Sequence, residues 1–234
     1  MGQRIQIVFK VPETYYYESN PNNNPEGLLV YHNQWLYGKS FVKYASRLIH
    51  ALEYLITEED GARINWERIV AQAVNYADYS DITNMTESFP LSGSVRPREY
   101  FNNLLKESGS ALGFLEKFDN NNGYIFIEAT PKGEIGIGIL NGYEDAEEIK
   151  QRDPEEYVKL FYTEDKYADD EKLMECISRI RQRREVPVLV ALEKLRKNLL
   201  KTTEENPQPE PSPQVSGSAD PTIVLEKLRG ENDG

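Results

Sequence analysis

The residues that could do chemistry gather first in one stretch, "LLVYHNQWLYGKSF" (28–41), where an apolar run passes through a polar and aromatic knot into Gly38-Lys39-Ser40. A strand, a Gly-Lys-Ser loop and a helix is the layout of a phosphate-binding loop, whose pattern is G-x-x-x-x-G-K-[ST]. Here Asn33 stands at the first glycine position, and Gln34, Trp35, Leu36 and Tyr37 fill the four between. Such side chains crowd the ring of amides that must close on a phosphate. The companion signal, an apolar strand ending in an acid, is also weak. "YIFIE" ends in Glu128 but lies between two turn signals rather than in a parallel sheet. The same letters read more simply as Gly38 ending a turn and Ser40 capping a helix. What is left is the knot: Tyr31 with His32, Asn33, Gln34, Trp35 and Tyr37. Aromatics with a polar tip beside amides suit a recognition surface as well as an amphipathic strand end. His32, Asn33, Gln34, Trp35 and Tyr37 are the candidate binding surface.

The rest of the chemical inventory is thin. Cys176 is the single cysteine, so an internal disulfide is impossible, and among Leu173, Met174 and Ile177 it reads as core filler. Nothing in the spacing sets it beside His32 or His50 as a nucleophile beside a base. Two histidines build no zinc site without several carboxylates. Gly136 and Gly138 fall inside a strand, whereas a dinucleotide fingerprint lies between a strand and a helix. "DNNNG" read as an EF-hand loop places Phe118 and Ala129 at its first and last positions. The run "TEDKYADDEK" reads as a solvated helix start, and Arg179, Arg181, Arg183 and Arg184 as a helix C-terminus before a nucleic-acid contact. These patterns imply no catalytic residue, no metal site and no cofactor.

A formal charge of -12 over 234 residues argues against general affinity for nucleic acid or anionic membrane, which are bound by clustered Lys and Arg. No stretch approaches the roughly 18 apolar residues of a membrane helix. The N-terminus lacks a signal-peptide layout, so a cytoplasmic protein is expected. The hydrophobic fraction of 39% is low for this length and suggests that part of the chain is not packed.

The elements that must position these residues follow from periodicity. "RIQIVFKV" (4–11) alternates Ile5, Ile7, Phe9 and Val11 against Gln6 and Lys10, a half-buried strand. The Asn- and Pro-rich turn at 20–26 returns the chain antiparallel near "GLLVYHN". Residues 40–57 place Phe41, Ala45, Leu48, Leu52 and Leu55 on one helical stripe. A second helix fits "NWERIVAQAVNYAD", with Asn65 as its cap. Residues 79–97 are loop-like, and a shorter helix covers "REYFNNLLKES". Asn122-Gly123 and Lys132-Gly133 then predict two hairpin turns and a three-stranded antiparallel meander. Gly136 and Gly138 bare one face of its last strand to another backbone or a bulky aromatic.

From about 143 the chain turns to acidic helices, the last opened by Pro187. In it Val188, Leu192, Leu195 and Leu199 have the spacing of a short coiled-coil seam through which a second copy could pair. The expected fold class is α+β, an antiparallel sheet (N-terminal hairpin plus meander) with helices against one side, over residues 1–201. Residues 202–221 read as a disordered Pro-, Ser- and Glu-rich linker. Residues 222–234 read as a short helical tail motif, in which "LEKLR" (225–229) repeats "LEKLR" (192–196). Its interacting residues would be Ile223, Leu225, Leu228 and Arg229, docking as a helix in a partner's groove.

"MGQRIQIVFK", "VYHNQWLYGKSF" running into a helix and the later hairpin pair resemble a loose group of uncharacterised bacteriophage and prokaryotic proteins. Members begin with a Met-Gly-x-Arg strand and carry an Asn-Gln-(Trp/Tyr)-x-x-(Gly/Pro) segment before a helix. The loop ends in varied residues in that group, which makes Lys39 incidental. The resemblance implies a phage or mobile-element setting, hence the host cytoplasm, and carries over no functional residue. The expectation is a non-enzymatic protein acting through protein–protein contact, as a host-directed regulator, an inhibitor or an assembly component. The alternatives are an enzyme or binder of a nucleotide or small metabolite with a site near residues 32–40, and a virion structural component.

Overall fold

The structure, a computed structural model, describes residues 4–12, 26–34, 36–58, 64–79, 98–118, 122–142 and 148–205. In chain order these form β1 (Arg4–Pro12), β2 (Glu26–Gln34), α1 (Gly38–Glu58), α2 (Trp66–Tyr79), α3 (Arg98–Glu107) and α4 (Ala111–Leu115). Then come β3 (Gly123–Ala129), β4 (Ile135–Asn141), α5 (Pro154–Lys159), α6 (Glu171–Arg181), β5 (Arg184–Glu185) and α7 (Val188–Glu205). Residue contacts divide the chain into Met1–Leu200 and Lys201–Gly234, and of the second unit only the last turn of α7 is described. The predicted linker beyond Glu205 and the tail motif lie outside the described residues, as do Trp35 and residues 80–97.

The α+β class holds, but the sheet is mixed. Its order is β2-β1-β3-β4-β5. The hairpins β1–β2 and β3–β4 are antiparallel, while β1 pairs β3 and β4 pairs β5 in parallel. The predicted meander fails at its first strand. "FLEKF" is the end of α4 and the turn after it, because Ala111, Phe114 and Leu115 recur at helical spacing and Ser110 caps the helix by accepting from the Gly113 amide. Asn122-Gly123 is therefore no hairpin turn. Gly123 opens β3 at φ +136°, and a Cβ there would meet the Leu140 carbonyl oxygen at 2.3 Å. Asn122 beside it is a buried junction: its amide donates to the Arg4 carbonyl and its own carbonyl accepts from the Tyr157 hydroxyl at 2.7 Å.

Helices cover both faces rather than one. Ile5, Ile7, Phe9, Leu29, Ile125, Ile127, Ile137 and Ile139 pack against α1, α2, α5 and α6. Val8, Leu28, Val30, Tyr124, Phe126 and Leu140 pack against α3, α4 and α7. A strand buried on both sides cannot be half-polar, so β1 is not the half-buried strand its alternation suggested. Gln6 is 5% exposed and Lys10 4%. α3 also guards the outer edge of β2, where the Asn102 side-chain oxygen accepts from the Leu28 amide at 3.1 Å, so that edge amide is not left as a template for another strand.

The α7 seam faces inward. Val188, Leu192 and Leu195 are buried in the second core, with Leu199 packed beside them. The expected homo-oligomer through Val188, Leu192, Leu195 and Leu199 is corrected accordingly: the sheet already covers this stripe, and burying each such side chain contributes roughly 1.5–3 kcal/mol to the chain's own fold.

Candidate functional site

α1 begins at Gly38 in the left-handed region (φ +51°), and a Cβ there would lie 2.4 Å from the Tyr162 ring. Ser40 sits within the first turn rather than at the cap. Its hydroxyl donates to the Tyr37 carbonyl at 2.8 Å and lies 3.3 Å from the Tyr37 amide, the reciprocal bond of a helix entry. Tyr37 meets Phe161 at 5.7 Å between ring centroids, and Phe41 stacks on Tyr157 at 4.1 Å. Together with the Tyr162 ring against Gly38, these rings pack about the entry of α1. Lys39 is held there too: its ammonium donates to the Lys166 carbonyl, lies 3.9 Å from the Asp170 carboxylate and sits over the Tyr162 ring. Asp170 also takes Lys43 at 2.9 Å and caps α6 through the Leu173 amide. The Gly-Lys-Ser triplet thus fastens α1 to the α5–α6 connection.

The rest of the nominated surface is split by the sheet. On one face, Gln6 Nε2 lies 2.9 Å from His32 Nδ1. Burial first, and Arg4 second, lower the His32 pKa below its ordinary 6.5, so the ring is neutral at neutral pH. On the other face Asn33 donates to Asp78 at 3.4 Å, next to the buried Tyr44 hydroxyl. Burial, then the Asp78 charge, push the Tyr44 phenol well above its usual value. Gln34 ends β2. His32, Asn33 and Tyr37 therefore do not share one surface.

Two polar systems remain, the first of them unread in the sequence. The first is a charge row across the sheet. Glu26, Lys10 and Glu128 alternate onto the same face as Leu28, Val8 and Phe126. Lys10 Nζ lies 2.8 Å from Glu26 and 2.7 Å from Glu128, and Glu128 takes Arg184 at 2.6 Å. Burial opposes the Lys10 charge, but the two carboxylates outweigh it and hold its pKa above the ordinary lysine value. Burial likewise opposes the Glu128 charge, and Lys10 and Arg184 outweigh it, so that carboxyl sits below its usual range. A lysine that holds its proton so firmly offers no free amine near neutral pH. Its signal was present as a lysine and a glutamate in two apolar strands, but the register that joins them, Lys10 opposite Glu128, exists only in the parallel pairing.

The second is the arginine cluster, which disperses. Arg179 donates to the Ser46 hydroxyl at 3.2 Å, Arg181 grips Asp153 and Glu155, Arg183 clasps Glu53 on α1, and Arg184 joins the charge row. Arg179 and Arg183 thus bind α1, Arg181 the start of α5 and Arg184 the charge row, so the four side chains go to separate intramolecular partners. Near them β5 and residues 150–152 both bond to the outer edge of β4. Val186 donates to the Ile137 carbonyl, Arg152 to that of Ile139, and Asn141 to that of Lys150. Between the two segments lies a cavity of about 160 Å³. It is walled by Ile137, Ile139, Pro154 and Ile180 and by the polar groups of Gln151, Arg152, Asp153, Arg181, Arg183 and Glu185.

The bare face of β4 is filled by this same segment, as the glycine spacing implied. A Cβ on Gly138 would meet Val188 at 2.4 Å and the Val186 carbonyl oxygen at 2.6 Å. Among the described residues no three His, Cys, Asp or Glu side chains cluster as metal ligands do, and no helix is long and apolar enough to cross a membrane. No family model, no curated protein and no solved structure matches this chain.

Proposed function

We propose that the chain is a non-enzymatic interaction protein whose partner docks on the α3–α4–α7 layer. The observation that carries this reading is where apolar surface remains. Among the described residues the exposed large apolar side chains Tyr100, Leu112, Leu189, Val190 and Leu200 belong to that layer, against Tyr54, Tyr76 and Met174 on the other. Val190 is the most open of them at 66%. The Ala111 amide of α4 donates to Glu193 at 3.2 Å, and Leu189 lies one turn from Glu193, so Leu112, Leu189 and Val190 cluster about that junction. Apolar exposure concentrated on one layer supports a contact surface more than scattered single residues do.

The same helix supplies a basic border. Lys194 and Lys197 are exposed and follow Val190 at i+4 and i+7, which places them on its face, in a chain of net charge -12. A partner with an apolar centre and an acidic rim fits this strip. The tail is the second contact. In α7 the pentapeptide 192–196 buries Leu192 and Leu195, and Leu225 and Leu228 hold the corresponding places in the repeated pentapeptide. With Ile223 and Arg229 they would offer a partner's groove the same pair of leucines. Following the resemblance, the setting is a bacteriophage protein in the host cytoplasm, acting as a regulator, an inhibitor or an assembly component.

The test is affinity capture with four baits under identical conditions: wild type, L189K/V190E, Y54K and a chain ending at Glu205. The reading predicts that the double substitution loses a protein that wild type and Y54K retain, and that truncation weakens its capture. Equal capture by L189K/V190E, with its fold verified by circular dichroism, sinks it.

A further inference from the structure

We propose that the cavity at the edge of β4 is a binding site for a small monocarboxylate, with Arg152 receiving the carboxylate and the isoleucines receiving a short apolar body.

The charges around the cavity are uneven in their commitments. Arg181 holds Asp153 with two bonds, Nε at 2.8 Å and Nη2 at 2.7 Å, and reaches Glu155 as well. Arg183 clasps Glu53. Glu185 accepts from the Gln151 amide, whose oxygen in turn accepts from the Val188 amide at 3.0 Å. Arg152 differs: it donates through Nε to the Asn141 side-chain oxygen at 3.1 Å, and among the described residues it has no carboxylate partner. That bond fixes the planar group while leaving its two terminal nitrogens for a ligand. A guanidinium presented this way matches a carboxylate with two parallel bonds.

Asn141 is itself rigid. It is fully buried and bonded at both ends of its amide, accepting from the Lys150 amide at 3.0 Å and donating to the Glu148 carbonyl at 2.8 Å. The arginine is therefore pre-oriented, which lowers the ordering cost of binding.

The remaining walls select among anions. Ile137, Ile139, Ile180 and Pro154 give an apolar floor. The volume, about 160 Å³, is of the order of the roughly 150 Å³ cavity that takes up benzene in another protein. Arg181 and Arg183 also line the cavity but are held by Asp153 and Glu53, and the apolar floor favours a monoanion with an apolar body over phosphate, which would lose its hydration there without return. The site is lined by β4, α6 and residues 151–154 and includes none of the exposed side chains of the docking reading, so it stands independently of that reading.

The test is calorimetric titration of the full chain with sodium benzoate and sodium butyrate, each to about ten times a millimolar Kd, with inorganic phosphate as comparison at matched ionic strength. The expected result is saturable binding of one or both carboxylates at one site per chain, at least tenfold weaker binding of phosphate, and at least tenfold weaker carboxylate binding by R152Q. R152K, which keeps the charge but not the planar fork, should fall between. The melting temperature of R152Q without ligand verifies its fold; should R152Q unfold, I180W, which fills the floor and leaves Arg152 in place, must abolish binding instead. Absence of saturable binding to wild type, phosphate binding as tight as benzoate, or a folded R152Q that binds equally well overturns the proposal.

Discussion

Replacing Glu128 by Gln tests whether the charge row holds the sheet together. Lys10 is 4% exposed and has two carboxylates within 2.8 Å. Removing one member of a buried ion pair costs about 3–5 kcal/mol when the other is left without a counter-charge. Here Glu26 remains, and the amide oxygen of the new side chain still accepts one bond, so roughly half of that is expected, about 2 kcal/mol. For a chain of this size that lowers the melting temperature by about 4–8 °C. R184Q removes the other partner of Glu128, but Arg184 is half exposed, so its loss should stay within about 1 kcal/mol. The pH dependence fixes the mechanism. The folded Glu128 pKa lies below its ordinary 4.5, so the unfolded chain binds its proton first as pH falls. Its contribution is complete above 4.5 and lost as pH drops through the lower folded value. Lys10 has the opposite sign: raised above 10.5, its contribution is complete below that value and lost as pH climbs through the folded one. Urea unfolding should therefore show a constant gap between wild type and E128Q from about pH 5 to pH 9, closing below about pH 4. A gap under about 0.5 kcal/mol at neutral pH, a larger cost for R184Q, or a gap that survives acid would refute the reasoning.

Three further outcomes follow from particular contacts. G38A should destabilise by about 3 kcal/mol, the left-handed backbone and the Tyr162 ring each contributing; in urea titrations G38A/Y162A should cost less than the sum of its singles. H32Q should flatten the stability profile just below pH 6.5, because a histidine with a depressed folded pKa contributes fully above 6.5 and less as pH falls; an unchanged slope there contradicts the buried neutral ring. L192A should cost about 2–5 kcal/mol without altering the sedimentation coefficient, whereas a drop in assembled mass would restore the oligomer reading of the α7 seam.

Local signals in the sequence carried the elements well and their partners poorly. α1 and α2 follow from their apolar stripes, and Asn65 caps α2 through the Arg68 amide at 3.0 Å. The glycines of β4 announced a close approach that the Val186–Val188 segment makes. What was not legible depended on pairings between distant segments. Alternation in β1 cannot distinguish a half-exposed strand from one whose polar side chains are neutralised by another strand. The Asn-Gly at 122–123 imitates a hairpin turn because glycine is required there, but for the close approach of Leu140 rather than for a reversal. The knot at residues 31–37 looked like one surface because its members are adjacent in sequence; alternation sends His32 and Asn33 to opposite faces. The arginine run looked like one patch for the same reason, until each side chain found a separate carboxylate or hydroxyl. Arg152 had no sequence signal at all, since its orientation comes from Asn141, eleven positions earlier, across the edge of β4.

The docking reading is tested most directly by placing a photo-reactive residue at position 190 on α7 or at position 54 on α1 and irradiating the full chain with its captured partner. Docking on the α3–α4–α7 layer predicts a covalent product from position 190 and none from position 54, with the 190 product lost when an acidic rim is screened by high salt. A product from position 54 alone, or equal products from both, contradicts it.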